Sequence, residues 1–328
     1  MSELHWPVIG HEWAVEHLDR AIRHGRMRHA MLITGASQIG KTTLARALAM
    51  ALNCTGDAPP CGQCRACTLI AKDCHPDIAW VEADREGGTL KIDQVRDLQQ
   101  SLALRPYEGR YRVAILLRFH EANPAAANAL LKTLEEPSPD AVLILTADSA
   151  DHLLPTIVSR CQPLHLRPLP VETVREALEQ HWDAPHDQAQ TLAQLSGGRI
   201  GWAIEALENP EALETRGAAL DTLEAALHGN RRERFALVEG LSADKQTLLP
   251  LLETWQGFWR DILLIASGSR APITNHDRAV ALNDLAQWAG IDSAQQALQA
   301  TRRTIDLLGK NVNTRLALEV LLLDYPGL

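Results

Sequence analysis

Gly35-Ala36-Ser37-Gln38-Ile39-Gly40-Lys41-Thr42 is a complete match to the phosphate-loop pattern G-x-x-x-x-G-K-[ST]. In that pattern the glycines let backbone amides curl round a phosphate, the lysine reaches its outer oxygens, and the Thr42 hydroxyl can ligate magnesium. Four specified positions would arise by chance in a chain of 328 residues on the order of one time in a hundred. The context agrees with the motif. An apolar run at 30–34 reads as a buried strand entering the loop, and the Ala/Leu-rich stretch 41–53 reads as the helix leaving it. Gly35, Gly40, Lys41, Thr42 and the adjoining Thr43 are therefore the candidate contacts for ATP or ADP with Mg2+.

Outward from the loop, strand-like and helix-like segments alternate through the first half, the pattern of an α/β fold with a parallel sheet covered by helices. Residues 78–81, 112–117 and 141–146 read as further strands. Asp93 is the expected cap of a helix whose Val95, Leu98 and Leu102 share one face. Asn123-Pro124 reads as an N-cap with proline at the first helical position, opening a helix that carries Leu130 and Leu134 and stops before Pro137. After Pro170 the strand signal disappears. Helical segments are expected at 171–182, 187–195 and 200–207, then a breaker at Asn209-Pro210 leads into a longer all-helical region. There Leu248, Leu252, Trp255, Trp259 and Ile262 fall on one helical stripe, read as bundle core, with Pro250 expected near that helix's first turn. The expected division is 1–168 for the nucleotide-binding domain, 169–208 for a small helical lid and 209–328 for an all-α C-terminal domain.

Binding does not entail hydrolysis. A phosphate-loop ATPase needs acids at the end of a second strand to hold magnesium and orient the attacking water. Here the strand ending at Leu117 runs into Arg118-Phe119-His120-Glu121. No Asp-Glu pair stands there, and Glu121 comes several residues late and reads as a surface-loop glutamate. The chain has the parts to hold ATP but is poorly equipped to cleave it.

A second motif lies beyond the phosphate-loop helix. Cys61-Gly62-Gln63-Cys64-Arg65-Ala66-Cys67 gives C-x-x-C-x-x-C, and Cys54 lies seven positions earlier. Four thiolates at this spacing suit tetrahedral zinc in a closed structural site, within a module at about 54–75. A ferredoxin-type run would continue with three residues, a cysteine and a proline; the next cysteine here, Cys74, is too distant. Redox chemistry at one C-x-x-C is a weaker third reading, and Cys74 or His75 remains open as a substitute ligand. A zinc-dependent nucleic-acid module would need basic and aromatic residues around the cysteines, and the segment offers only Arg65 and Lys72.

Composition bounds the remaining classes. Hydrophobic residues make up 46% of the chain, enough for a sizeable core. The net charge of −9 argues against a free-standing DNA coat, because such affinity comes from neutralising phosphates with Lys and Arg. No apolar run approaches the ~20 residues that span a bilayer, so no membrane partner is expected. The N-terminal residues lack the basic-then-apolar order of a signal peptide, so a cytoplasmic location is expected, where six cysteines favour metal over disulfides.

Several of these features together resemble the AAA+ clamp-loader family of bacterial DNA polymerase III. Arg28-His29-Ala30 before the phosphate loop, the cysteine module after it, the segment Ala126-Ala127-Asn128-Ala129-Leu130-Leu131-Lys132-Thr133-Leu134-Glu135-Glu136-Pro137 and the triplet Ser159-Arg160-Cys161 are similar to that family's motifs. The resemblance covers the first half in detail and the helical second half in architecture. It implies a hetero-pentamer with gamma/tau and delta subunits, held by a collar of C-terminal helices, that opens the sliding clamp at primed DNA. It also implies that Arg160 acts as an arginine finger in a neighbour's nucleotide site. The family's zinc-bearing subunits are of two kinds: the ATP-hydrolysing gamma/tau kind, and one that donates an arginine without driving hydrolysis. The missing acids after Leu117, Gly201 at the place of the lid arginine with Arg199 two residues early, and the lack of a long tau-like extension favour the second.

Overall fold

A computed structural model describes residues 6–241, 244–308 and 312–327. Five short strands build the sheet, the first four rich in apolar residues: β1 (Ala30–Thr34), β2 (Ile78–Val81), β3 (Arg112–Leu116), β4 (Ala141–Ala147) and β5 (Gln162–His165). Their order is β2-β3-β4-β1-β5, with every pairing parallel. β1 and β4 are buried along their whole length, as continuous apolar runs in a covered parallel sheet should be. The register sets Thr34 beside Ala147, so the chain leaving β1 and the chain leaving β4 emerge side by side. This carboxyl edge is where ligands bind in open α/β sheets.

The helices of this part are α1 (Glu12–Arg23), α2 (Lys41–Asn53), α3 (Arg65–Ala71), α4 (Ile92–Leu102), α5 (Pro124–Glu135) and α6 (Pro155–Val158). One core layer joins α1 and α2 to one face of the sheet through Leu18, Leu44, Leu48, Met31 and Ile144. The other joins α4 and α5 to the opposite face through Val95, Leu98, Leu130 and Leu134. At α5 the Asn123 carboxamide oxygen accepts the Ala126 N–H with Pro124 at the first position, as the sequence indicates. At α4 the expectation needs correction. The N-cap is Lys91, whose N–H donates to the Gln94 side chain, and Asp93 lies inside the first turn, where its charge complements the helix dipole.

The remaining helices are α7 (Val171–Trp182), α8 (His186–Leu195), α9 (Ile200–Glu208), α10 (Glu211–His228), α11 (Arg231–Gly240), α12 (Lys245–Ala266), α13 (Ala279–Leu308) and α14 (Thr314–Asp324). The chain forms two compact units: residues through Thr173 together with Gly198–Gly201, and the rest. In the second unit α12 packs on α13 around Leu248, Leu252, Trp255, Trp259 and Ile262, all fully buried. The Trp255 indole N–H donates to the Ala219 carbonyl at 2.7 Å, which removes the cost of burying it. Pro250 stands in the second turn of α12 rather than near its start, and α13 kinks at Gly290 (φ 67°). Among the described residues no helix is long and apolar enough to cross a membrane.

Candidate functional site

Gly40, with φ 106°, turns the chain from the phosphate loop into α2, a conformation L side chains rarely adopt. Most of the loop's carbonyls are already engaged. Ile39 O is 3.0 Å from the ring Nε2 of the buried His11, and Gln38 O accepts the Gly201 N–H at 2.8 Å. A Cβ on Gly201 would stand 2.9 Å from that same oxygen, so the backbone contact leaves no room for the arginine the family resemblance sets there. The first-turn amides of α2, those of Lys41, Thr42 and Thr43, have no intrahelical carbonyl to bond. Together with the loop they form a nest suited to a phosphate.

Lys41 is 8% exposed, and its ammonium donates to Gly35 O at 2.6 Å, Ala36 O at 2.8 Å and Asp148 Oδ1 at 2.8 Å. Asp148 follows β4 and reaches the loop because β4 is the neighbour of β1; its own carbonyl accepts the Gly35 N–H at 3.2 Å. Its second carboxylate oxygen lies 3.4 Å from His120 Nε2. Burial works against ionisation of Asp148, but the Lys41 and His120 charges hold its carboxyl below the ordinary range. Burial pushes His120 the other way, below the usual imidazole value.

At the end of β3 the structure carries a cation where a hydrolase would carry acids. Arg118 has φ 45°, donates to Glu121 Oε1 at 3.1 Å and Glu82 Oε2 at 2.9 Å, and takes its backbone N–H to Thr146 Oγ1. Glu121 is not the surface glutamate its position suggests. Its side chain is 7% exposed, accepts the Gly87 N–H at 2.8 Å and is pushed up in pKa by burial. It is committed to bracing the loop before α4.

The Sγ atoms of Cys54, Cys61, Cys64 and Cys67 all lie within 4.8 Å of one another. Backbone N–H groups of Gly56 and Cys61 point at Cys54 Sγ, that of Cys64 at Cys61 Sγ and that of Cys67 at Cys64 Sγ, at 3.3–3.5 Å. Such donors stabilise thiolate charge. Burial opposes ionisation of Cys64, yet the donors bring it down to about 6, while burial pushes Cys67 up. Four soft donors converging on one point fit a tetrahedral metal. Cys74 and His75 stand apart from them. The Cys74 thiol donates to Lys72 O, and His75 Nδ1 accepts the Asp77 N–H.

Arg160 sits just after α6, its side chain 35% exposed. Its guanidinium reaches Glu135 Oε1 at 2.6 Å and donates to Thr156 O at 2.8 Å. Thus the phosphate-loop residues and the four cysteines each form a coherent cluster, and Arg160 lies apart from both on the surface. Asp148, His120 and His11 complete the loop's surroundings, and sequence reading missed them. The available signal was position, since a polar residue directly after a buried parallel strand lies at the sheet's carboxyl edge.

Comparison with known proteins separates the two kinds of subunit. The family described as "DNA polymerase III, delta subunit" matches residues 10–170, and its C-terminal counterpart matches residues 210–326. The delta-prime subunit of Pseudomonas aeruginosa is 32% identical over 315 residues, covering 92% of both chains. The chain belongs to the DNA polymerase III delta-prime family. The delta-prime subunit of Bacillus subtilis is 29% identical over 311 residues, covering 93% of both chains. The tau subunit of Escherichia coli, by contrast, is 37% identical over only 205 residues, which is 60% of this chain and 31% of that one. Likeness to that tau subunit is confined to a part, whereas likeness to the Pseudomonas and Bacillus delta-prime subunits runs nearly end to end.

Proposed function

We propose that this delta-prime family member acts as a non-hydrolysing subunit of a clamp loader, in a cytoplasmic hetero-pentamer with gamma/tau and delta subunits that loads the sliding clamp onto primed DNA. Within it residues 169–208 serve as lid and 209–328 as collar. The observation that carries the reading is the end of β3, where the Glu82 and Glu121 carboxylates are paired with the Arg118 guanidinium instead of standing free to hold magnesium for hydrolysis. ATP or ADP with Mg2+ is held at Gly35, Gly40, Lys41, Thr42 and Thr43. Zinc held by Cys54, Cys61, Cys64 and Cys67 stabilises the module between α2 and β2. All four positions are protein thiols, so no coordination site is left open for chemistry.

Arg160 contributes in trans. Its planar guanidinium stabilises charge developing on the phosphoryl group in a neighbour's nucleotide site, a contribution of about 10³ to 10⁵ in rate in GTPase systems. One finger among several sites accounts for a smaller share of total turnover. Arg160→Ala is expected to leave folding, metal content and assembly intact, yet to lower clamp- and DNA-stimulated ATP hydrolysis by the reconstituted complex. Arg160→Lys recovers little, since an ammonium lacks the planar fork that fits phosphate oxygens. Steady-state ATPase after gel filtration tests this; an alanine variant that assembles and hydrolyses like the parent makes Arg160 a structural residue.

A further inference from the structure

We propose that Asp148 is the resident counter-ion of the phosphate loop: its carboxylate occupies the place beside Lys41 that an incoming phosphate would take, and it thereby sets how tightly the loop binds nucleotide and against which phosphate length it discriminates. The proposal rests on the reading of Gly35–Thr42 as a nucleotide site and adds to it a residue that restrains the site.

Three observations carry it. An ammonium has three N–H donors, and all three of Lys41 are engaged, at 2.6, 2.8 and 2.8 Å. A phosphate oxygen can reach Lys41 only by displacing one of the acceptors. Two of those are carbonyls of the loop itself, and Asp148 is the one that carries charge. Second, Asp148 is built into the loop, not resting on it. Its carbonyl accepts the Gly35 N–H, its Oδ1 takes Lys41 and its Oδ2 lies 3.4 Å from His120 Nε2, so the carboxylate is flanked on both oxygens. Third, the position follows from topology. β4 lies between β3 and β1, so the first residue after β4 faces the turn after β1.

The consequence is electrostatic. Nucleotide binding exchanges one anion on Lys41 for another while the displaced carboxylate stays nearby, repelling the phosphate that replaced it. The lysine of this motif reaches the outermost phosphates, so the third phosphate of ATP comes nearer Asp148 than anything in ADP does. The wild-type loop therefore binds weakly and favours the diphosphate.

The test measures ADP and ATP affinities by isothermal titration calorimetry on the full chain, for wild type, Asp148→Asn, Lys41→Ala and the double variant. Asp148→Asn keeps shape and removes the charge; it should tighten binding by at least about tenfold, or 1.4 kcal/mol, and by more for ATP than for ADP. The gain should vanish in the Lys41→Ala background. Asp148→Ser is the second variant should the amide disturb folding, as judged by thermal melting. If wild type binds, Lys41→Ala weakens binding, and removal of the carboxylate leaves affinity unchanged or lowers it, the counter-ion role is wrong while the nucleotide reading stands. If neither wild type nor any Asp148 variant binds either nucleotide, the nucleotide reading fails and the counter-ion role falls with it.

Discussion

Arg160 is held by its own chain, and the strength of that hold decides whether it is available for the proposed role in trans. Its partner Glu135 is half exposed, and pairs in such settings contribute about 0–1 kcal/mol. Glu135→Ala should therefore change stability in urea by less than about 1 kcal/mol; a loss of about 3 kcal/mol would mark the pair as structural and the arginine as unavailable. Asp77 shows the opposite regime. Its side chain is wholly buried and accepts the N–H groups of Tyr107, Glu108 and Gly109 at 2.6–2.9 Å, with Arg112 at 3.5 Å. Burial alone would raise its pKa, but the three donors together hold it below the ordinary carboxylate range. A depressed folded-state pKa means that the carboxylate stabilises the fold above the unfolded value of about 3.9, and that this contribution is lost as pH falls through the lower folded value. Asp77→Asn should accordingly destabilise the protein at pH 7, and the gap from wild type should shrink below about pH 4; a gap independent of pH would sink the assignment. The phosphate loop was legible because its backbone demands particular residues at fixed spacing. Asp148 was not, because it arrives from 107 positions away: its place directly after an apolar strand points to the sheet's carboxyl edge, but only the pairing of that strand with β1 sets it against Lys41.

Elements differ in how far local chemistry writes them. α5 was legible from Asn123-Pro124 because cap and first-turn proline act within a few residues. β5 was not: it contains Pro163, which cannot donate to a ladder, and it exists because it lies at the sheet edge, where the missing donor is tolerated. α3 begins inside the cysteine module, with Cys64 as its N-cap, so its short helix is written over by metal-ligand spacing. That module yields a prediction about an element as a whole. Elemental analysis should find one zinc per chain; Cys64→Ser should lose it and loosen the segment between α2 and β2, because binding energy here is folding energy. Cys74→Ser should retain it, and iron in place of zinc would revive the cluster reading. In the second unit, the end of α14 depends on α11. The Arg234 guanidinium donates to the carbonyls of Leu322, Tyr325 and Pro326 at 2.6–2.9 Å, and to Gly229 at 3.2 Å. Removing it strands buried acceptors, so Arg234→Met should cost about 2–4 kcal/mol in urea unfolding followed by tryptophan fluorescence. Arg234→Lys should recover only part, since one ammonium cannot span the same carbonyls.

Across the whole molecule, the proposed function separates holding a nucleotide from using one. The phosphate loop is complete and braced by His11, Gly201 and Asp148, whereas the end of β3 presents Arg118 where hydrolysis needs acid. The complete loop and the arginine after β3 were in the sequence and the bracing was not; only the fold explains the arginine, because Arg118 is not idle: it ties the end of β3 to Glu82 and Glu121. Restoring an acid at 118 alone would break those pairs without supplying a water-orienting base. The purified chain should consequently turn over ATP far below about 1 s⁻¹, the low end of common enzyme rates, with magnesium present and whether or not primed DNA is added. Arg118→Asp should not raise that rate, and should instead lower stability by freeing two glutamates to repel each other near the half-buried loop. A coupled-enzyme assay on the isolated chain decides the matter. Turnover above that level, abolished by Lys41→Ala and so not a contaminant, would show that another group orients the attacking water. His120 and Asp148 would then be the first residues to suspect, and the chain would be a motor in its own right.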